Sequence, residues 1–170
     1  CTFCQRYTKG YRVYAPNVLE SRIIELKEKH NVGGLYVDDE NSLSNRKQSY
    51  EMARLLKKHD IFWRCGGVRV TSVTYEDLKF YKEHNMLAIR FGIESGSQKI
   101  LDIMEKKFTT KDVYNAISNC KKLGIATGTD QLMIGMPGET RETIIESAQF
   151  VASLRYLLET DWNISNPFMA

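Results

Sequence analysis

Proline is scarce in this sequence, with three residues in 170, and tryptophan is scarcer still at two. So few prolines exclude collagen-like, mucin-like and proline-rich linker architectures. No apolar run approaches the ~18 residues that span a bilayer, and no signal-peptide pattern opens the sequence. Four cysteines are too few for a secreted disulfide framework at this length, so a reducing, cytoplasmic setting is expected. Neither sign of charge dominates. The 24 Lys+Arg against 21 Asp+Glu leave +3, which does not indicate nucleic-acid binding.

What is present is a globular composition, 42% apolar and 26% charged, in a length suited to one domain. Helical spacing of apolar residues runs from Asn17 to His30 behind Pro16, and again after Ser44, a candidate N-cap, through Leu56. It recurs from Thr74 to His84, where Asp77 completes a capping box. Further stretches run from Gln98 to Glu105, from Lys111 to Leu123 with Gly124 as the stop, and from Arg141 to Leu157. Strands are predicted at Leu35-Tyr36-Val37, from Ile61 to Val70, from Leu87 to Ser95 and from Thr127 to Met136. A last one is predicted at Trp162 to Ile164. Strand and helix alternate about every 30 residues, the rhythm of right-handed βα units on a parallel sheet. A closed barrel needs eight units and a longer chain. An open or partial barrel is therefore expected, its first strand lying before Cys1.

In such folds ligands bind at the carboxyl ends of the strands. Each predicted strand ends in polar or turn-forming residues: Asp38-Asp39-Glu40, then Arg69, then Glu94-Ser95, then Gly135-x-Pro137-Gly138-Glu139. Cys1 and Cys4 fall where the loop after a first strand would lie, so all of these converge on one rim. Within Leu87 to Ser95, the two-residue period puts Ile89, Phe91 and Ile93 on one face and Arg90, Gly92 and Glu94 on the other. The aliphatic face suits packing against helices, which turns Arg90 and Glu94 inward. There they form either an internal salt bridge or the lining of a polar ligand site. Thr127, Thr129 and Gln131 form a similar stripe, suited to a cavity or to an exposed sheet face.

Cys65 and Cys120 are expected to be buried as small hydrophobes. The histidines, His30, His59 and His84, sit at helix ends, where cationic residues suit the dipole, so a histidine general base is not expected. The pairs Lys57-Lys58, Lys106-Lys107 and Lys121-Lys122 read as solvated helix ends. A lone C-x-x-C is half a zinc site, a redox dithiol or part of an iron–sulfur ligand set. Cys65 and Cys120 do not supply the closely spaced second pair of a zinc ribbon. The surrounding pattern is also longer than a thioredoxin-like motif requires. This leaves a cluster site completed by residues before Cys1.

Cys1-Thr2-Phe3-Cys4 resembles the end of the C-x-x-x-C-x-(aromatic)-C motif of radical S-adenosylmethionine (SAM) enzymes, with Phe3 as the aromatic. Tyr36-Val37-Asp38-Asp39 is similar to that family's second-strand carboxylate segment, and Phe91-Gly92-Ile93-Glu94-Ser95-Gly96-Ser97 to its fourth-strand ribose segment. Met133-Ile134-Gly135-Met136-Pro137-Gly138-Glu139-Thr140 resembles its fifth-strand glycine-proline segment. The wording of these strings looks most like the subgroup often fused to an N-terminal cobalamin-binding domain, with methylthiotransferases close behind.

The resemblance implies a (β/α)6 partial TIM-type barrel over residues 1–170, with the first strand outside the chain. It implies a [4Fe-4S] cluster held by Cys1, Cys4 and an upstream cysteine, with Phe3 beside it. SAM would be held by Asp38 and Asp39 at its amino group, Glu94 and Ser95 at its ribose, and Arg69 or Arg90 at its carboxylate. Gly135, Pro137 and Gly138 would approach its adenine side. The family chemistry is reductive cleavage of SAM to a 5′-deoxyadenosyl radical. The substrate would be a small molecule or peptide, the electron donor a protein such as flavodoxin or ferredoxin, and cobalamin could be carried upstream. The alternatives are a methylthiotransferase acting on RNA or protein, and a non-catalytic, metal-stabilised binding module.

Overall fold

The computed structural model describes residues 10, 12–128 and 132–159 of the chain. Cys1, Phe3, Cys4, Thr129, Gln131 and the stretch Trp162 to Ile164 lie outside the described residues. The elements run α1 (Pro16–His30), β1 (Gly34–Val37), α2 (Arg46–Lys58), β2 (Phe62–Val68), a 3-10 turn (Val70–Ser72) and α3 (Tyr75–Glu83). They continue with β3 (Met86–Phe91), α4 (Gln98–Ile103), α5 (Thr110–Leu123) and α6 (Arg141–Glu159).

Local chemistry sets the helix boundaries. Pro16 opens α1, where its missing N–H costs nothing. Asn31, left-handed at φ 51°, closes it with its N–H on the Lys27 carbonyl. α2 is capped by Asn45, whose side chain accepts the Gln48 N–H at 3.2 Å, and not by the expected Ser44. Ser44 is drawn one residue outward because its own N–H closes a turn onto the Asn41 carbonyl at 2.9 Å. Thr74 and Asp77 form the expected reciprocal box on α3, and Thr109 with Asp112 forms a second on α5, one residue ahead of the predicted start. Gly124 ends α5 at φ 63°.

The three strands are parallel in the order β1-β2-β3. One sheet face is packed under the helices. Trp63, Cys65, Ile89 and Phe91 are buried on it. The Trp63 ring meets Tyr81 of α3 edge-on at 5.7 Å, and its indole N–H donates to the His84 carbonyl at 2.7 Å. The Tyr81 hydroxyl in turn shares a 2.7 Å hydrogen bond with Ser49 of α2. Each such large apolar side chain contributes roughly 1.5–3 kcal/mol by burial. This layer fixes which face of the sheet is left for chemistry.

The predicted strand from Thr127 to Met136 is described as two isolated parallel bridges, Ala88 with Ala126 and Glu94 with Leu132. The architecture is an α/β fold with a partial parallel sheet, and among the described residues the helices pack on one of its faces. Among the described residues no helix is long and apolar enough to cross a membrane.

Candidate functional site

The loop after β3 is the centre of the rim. Glu94 sits in the left-handed region at φ 68°, and its carbonyl accepts the Met133 N–H at 2.8 Å. This turn breaks the strand alternation, so Glu94 folds back across Gly92. A Cβ at residue 92 would lie 2.8 Å from the Glu94 Oε1, so glycine is needed there for the carboxylate to take this position. The partner of Glu94 is Lys106, with Nζ 3.4 Å from Oε1. Lys106 is only 7% exposed, and its ammonium lies 5.4 Å from the centre of the Phe108 ring.

Arg69 reaches the same corner from β2. Its Nη2 donates to the Lys106 carbonyl and, at 3.3 Å, to that of Lys107, and its guanidinium stands 5.9 Å from Phe108. The Arg69 Nε is buried with no hydrogen-bond partner among the described residues. A buried donor left unpaired costs about 1–3 kcal/mol. Two cations, one carboxylate and one orphaned donor at a strand-end rim make a site for a zwitterionic or anionic ligand that also offers hydroxyl donors.

Lys106 is a residue that reading it as a solvated helix end missed. The loop between α4 and α5 alternates, with Met104, Lys106 and Phe108 buried and residues 105 and 107 exposed. Left-handed turns at Glu105 and Lys107 enforce that alternation. The apolar spacing of Met104 and Phe108 does not reveal this by itself, because it is the two left-handed turns that bring Lys106 to the buried side.

Ser95 is 2% exposed and turned toward α6. Its hydroxyl lies 3.1 Å from that of Ser147 and accepts the Ser97 N–H at 3.1 Å. The Gly96 N–H donates to Ser147 at 3.1 Å, and the Ser97 hydroxyl donates to Glu146. A Cβ on Gly96 would fall 2.7 Å from the Phe150 Cβ and 2.8 Å from the Ser147 Cα. The loop carrying Glu94 is thereby latched onto α6.

Asp38 and Asp39 are exposed at the end of β1. Arg90 is exposed on β3, and its charge acts on Tyr36, whose phenol is held above its usual value by partial burial and by Asp38. The structure therefore brings Arg69 and Glu94 together through Lys106. Gly135 and Gly138 take φ 92° and 80°, either side of the exposed Pro137. This turn ends on the Thr140–Thr143 hydrogen bonds that open α6.

Cys65 and Cys120 are buried free thiols, each pushed up to about 12 by burial. Two of the three histidines are tied to structure: His59 to Glu20 at 2.8 Å and His84 to the Phe80 carbonyl at 2.7 Å. Among the described residues no group of three or more His, Cys, Asp or Glu could hold a metal.

Comparison with known proteins places the family and the fold. Residues 1–151 match the family model described as the radical SAM superfamily. The chain is 28% identical to the anaerobic magnesium-protoporphyrin IX monomethyl ester cyclase of Rubrivivax gelatinosus, over 96% of this chain and 29% of that protein. It is 30% identical to an uncharacterized methyltransferase of Pyrococcus horikoshii, over 91% of this chain and 34% of that protein. It is 27% identical to a tRNA-2-methylthio-N(6)-dimethylallyladenosine synthase of Buchnera aphidicola, over 92% and 39% respectively. The chain thus spans about a third of the length of these relatives. Among solved structures, coproporphyrinogen III oxidase (HemN) of Escherichia coli, a radical SAM enzyme, superposes with a TM-score of 0.63 at 14% identity. That match covers 81% of this chain and 34% of HemN.

Proposed function

The chain belongs to the radical SAM superfamily, and on that footing we propose that its carboxyl rim binds SAM beside a [4Fe-4S] cluster to activate a substrate C–H bond. The observation that carries this reading is the corner formed by Glu94, Lys106 and Arg69. Glu94 offers a carboxylate that accepts from both ribose hydroxyls. Lys106 and the orphaned Arg69 Nε offer donors to the methionine carboxylate, which supports Arg69 for that role. Asp38 and Asp39 face the amino group. Gly135, Pro137 and Gly138 form the turn that approaches the adenine side, where the absence of a Cβ permits close backbone contact. Ser95 acts one step back, holding the Glu94 loop on α6. By the family motif, Cys1, Cys4 and an upstream cysteine hold the cluster, with Phe3 beside it.

Bound together and reduced, the two groups supply 5′-deoxyadenosyl radical chemistry, hydrogen-atom abstraction from the substrate. The protein's part is to fix the ribose and the amino acid end so that one C–H bond lies in reach, and to keep water out. An electron donor of the flavodoxin or ferredoxin type and a small-molecule or peptide substrate complete the reading. Its finer form, methyl transfer beside an upstream cobalamin-binding domain, is supported by the strings around Glu94 and Gly135 and by the methyltransferase relative. Methylthio transfer is the second reading, supported by the tRNA methylthio synthase relative.

The test is SAM binding by the anaerobically reconstituted full-length protein. Glu94→Gln and Lys106→Met are expected to weaken SAM at least tenfold, each loss corresponding to about 1.4 kcal/mol or more, with iron content unchanged. Unaltered SAM affinity in both would contradict the assignment.

A further inference from the structure

Phe108 is 4% exposed in the loop between α4 and α5, and both cations of the Glu94 corner lie over its ring. The Lys106 ammonium is 5.4 Å from the ring centre and the Arg69 guanidinium carbon 5.9 Å, both inside the ~6 Å at which a ring face attracts a cation. The residue is fixed from both helices. The Phe108 carbonyl accepts from the Gln98 side chain of α4 at 3.4 Å, and the Gln98 Oε1 accepts the Thr110 N–H of α5 at 3.1 Å. Thr109, the next residue, forms the capping box of α5. Lys106 arrives beside the ring between two left-handed residues, Glu105 at φ 51° and Lys107 at φ 53°.

A leucine at this place would fill much of the same volume and attract neither cation. A carboxylate would hold both more tightly, but it would occupy their N–H donors and oppose any anion brought to them. An aromatic face avoids both outcomes. It attracts the positive charge and accepts no conventional hydrogen bond, so donors in the guanidinium plane are not consumed by it. Arg69 shows this division. Its Nη2 donates to the Lys106 and Lys107 carbonyls, while its buried Nε has no hydrogen-bond partner among the described residues. A ligand carboxylate would satisfy that donor.

We propose that Phe108 is a positioning residue of the SAM corner, its ring face holding the Arg69 guanidinium and the Lys106 ammonium in place for the methionine carboxylate without neutralising either. This inference rests on the radical SAM reading of the rim and adds a residue that acts through the two cations, not on SAM itself. Long cationic side chains lose rotamer freedom when they are ordered. With the ring present that ordering precedes SAM; without it the cost falls on the binding step.

SAM binding to the cluster-loaded full-length protein tests it, beside denaturant unfolding of the same samples. Mono-, di- and trifluorinated phenylalanines in place of Phe108 keep nearly the size of the ring and withdraw negative charge from its face in steps. SAM affinity should fall in that order, by about tenfold with the trifluorinated ring, while the unfolding midpoint changes little. Phe108→Leu should weaken SAM about as far. A double-mutant cycle supplies a second readout: in an Arg69→Gln background the loss caused by Phe108→Leu should be clearly smaller, because one of the two cations is gone. SAM affinity independent of fluorination, or losses that simply add in the cycle, would overturn the proposal and leave Phe108 as core packing. No SAM binding in the wild type would instead strike the rim reading, so the two failures are separable.

Discussion

Gly96→Ala is the sharpest perturbation of the latch between the Glu94 loop and α6. The added methyl would sit 2.7 Å from the Phe150 Cβ, 2.8 Å from the Ser147 Cα and 2.9 Å from the Phe150 Cδ1. Two of these atoms are backbone or next to it, so no rotamer change relieves them. Ordinary contact begins at 3.4 Å, so loop and helix must part by about 0.7 Å. Overpacking of this kind costs typically 1–3 kcal/mol. The same retreat stretches the two 3.1 Å bonds to Ser147 out of hydrogen-bond range, and each is worth about 0.5–1.5 kcal/mol. Together the expected loss is about 2–6 kcal/mol. Denaturant unfolding of the full-length protein reads it, beside SAM affinity, which should fall because Glu94 moves with the loop. Ser147→Ala removes the bonds without the overlap and should cost about half as much. Gly96→Ala within about 0.5 kcal/mol of wild type, or milder than Ser147→Ala, would refute this view of the latch.

Two further predictions concern parts away from the rim. Asp77 is nearly buried; burial alone would raise its carboxyl, but hydrogen bonds from Thr74 and Tyr50 and the Arg46 charge hold it below the ordinary 3.8. A depressed carboxyl stabilises the fold fully above that value and loses the contribution as pH falls through the lower, folded value. Asp77→Asn should therefore cost about 2–4 kcal/mol near neutrality and flatten the acid limb of a Tm–pH profile below about pH 4. Cys65 and Cys120, with thiols pushed up to about 12, hold on the order of 1 in 10,000 molecules as thiolate at pH 8. Both should resist a disulfide reagent in the native protein and react on unfolding. Mass-mapped labelling of either in the native state would place it outside the core.

The helices and the parallel pairing of the strands were legible because they rest on local rules. The capping box at Thr74 and the stop at Gly124 need only spacing and turn chemistry. What was not legible depends on backbone turns that alternation cannot foresee. Glu94 at φ 68° leaves the β3 pattern and takes Lys106 as its partner. Ser95 was expected at the ribose, yet its hydroxyl faces α6, because Ser147 lies fifty-two residues away in sequence and only packing brings it there. Cys1, Phe3 and Cys4 fall outside the described residues, so the cluster ligands stand on the motif and the family match.

The central claim is that this rim, completed by the cluster cysteines, generates a radical from SAM. The most direct measurement is 5′-deoxyadenosine released when the full-length, iron-loaded protein is reduced anaerobically with SAM. The account predicts nucleoside formed in wild type and lost in Cys4→Ala, with Glu94→Gln markedly slower at limiting SAM. A reduced, cluster-loaded protein that binds SAM and releases no 5′-deoxyadenosine would contradict it.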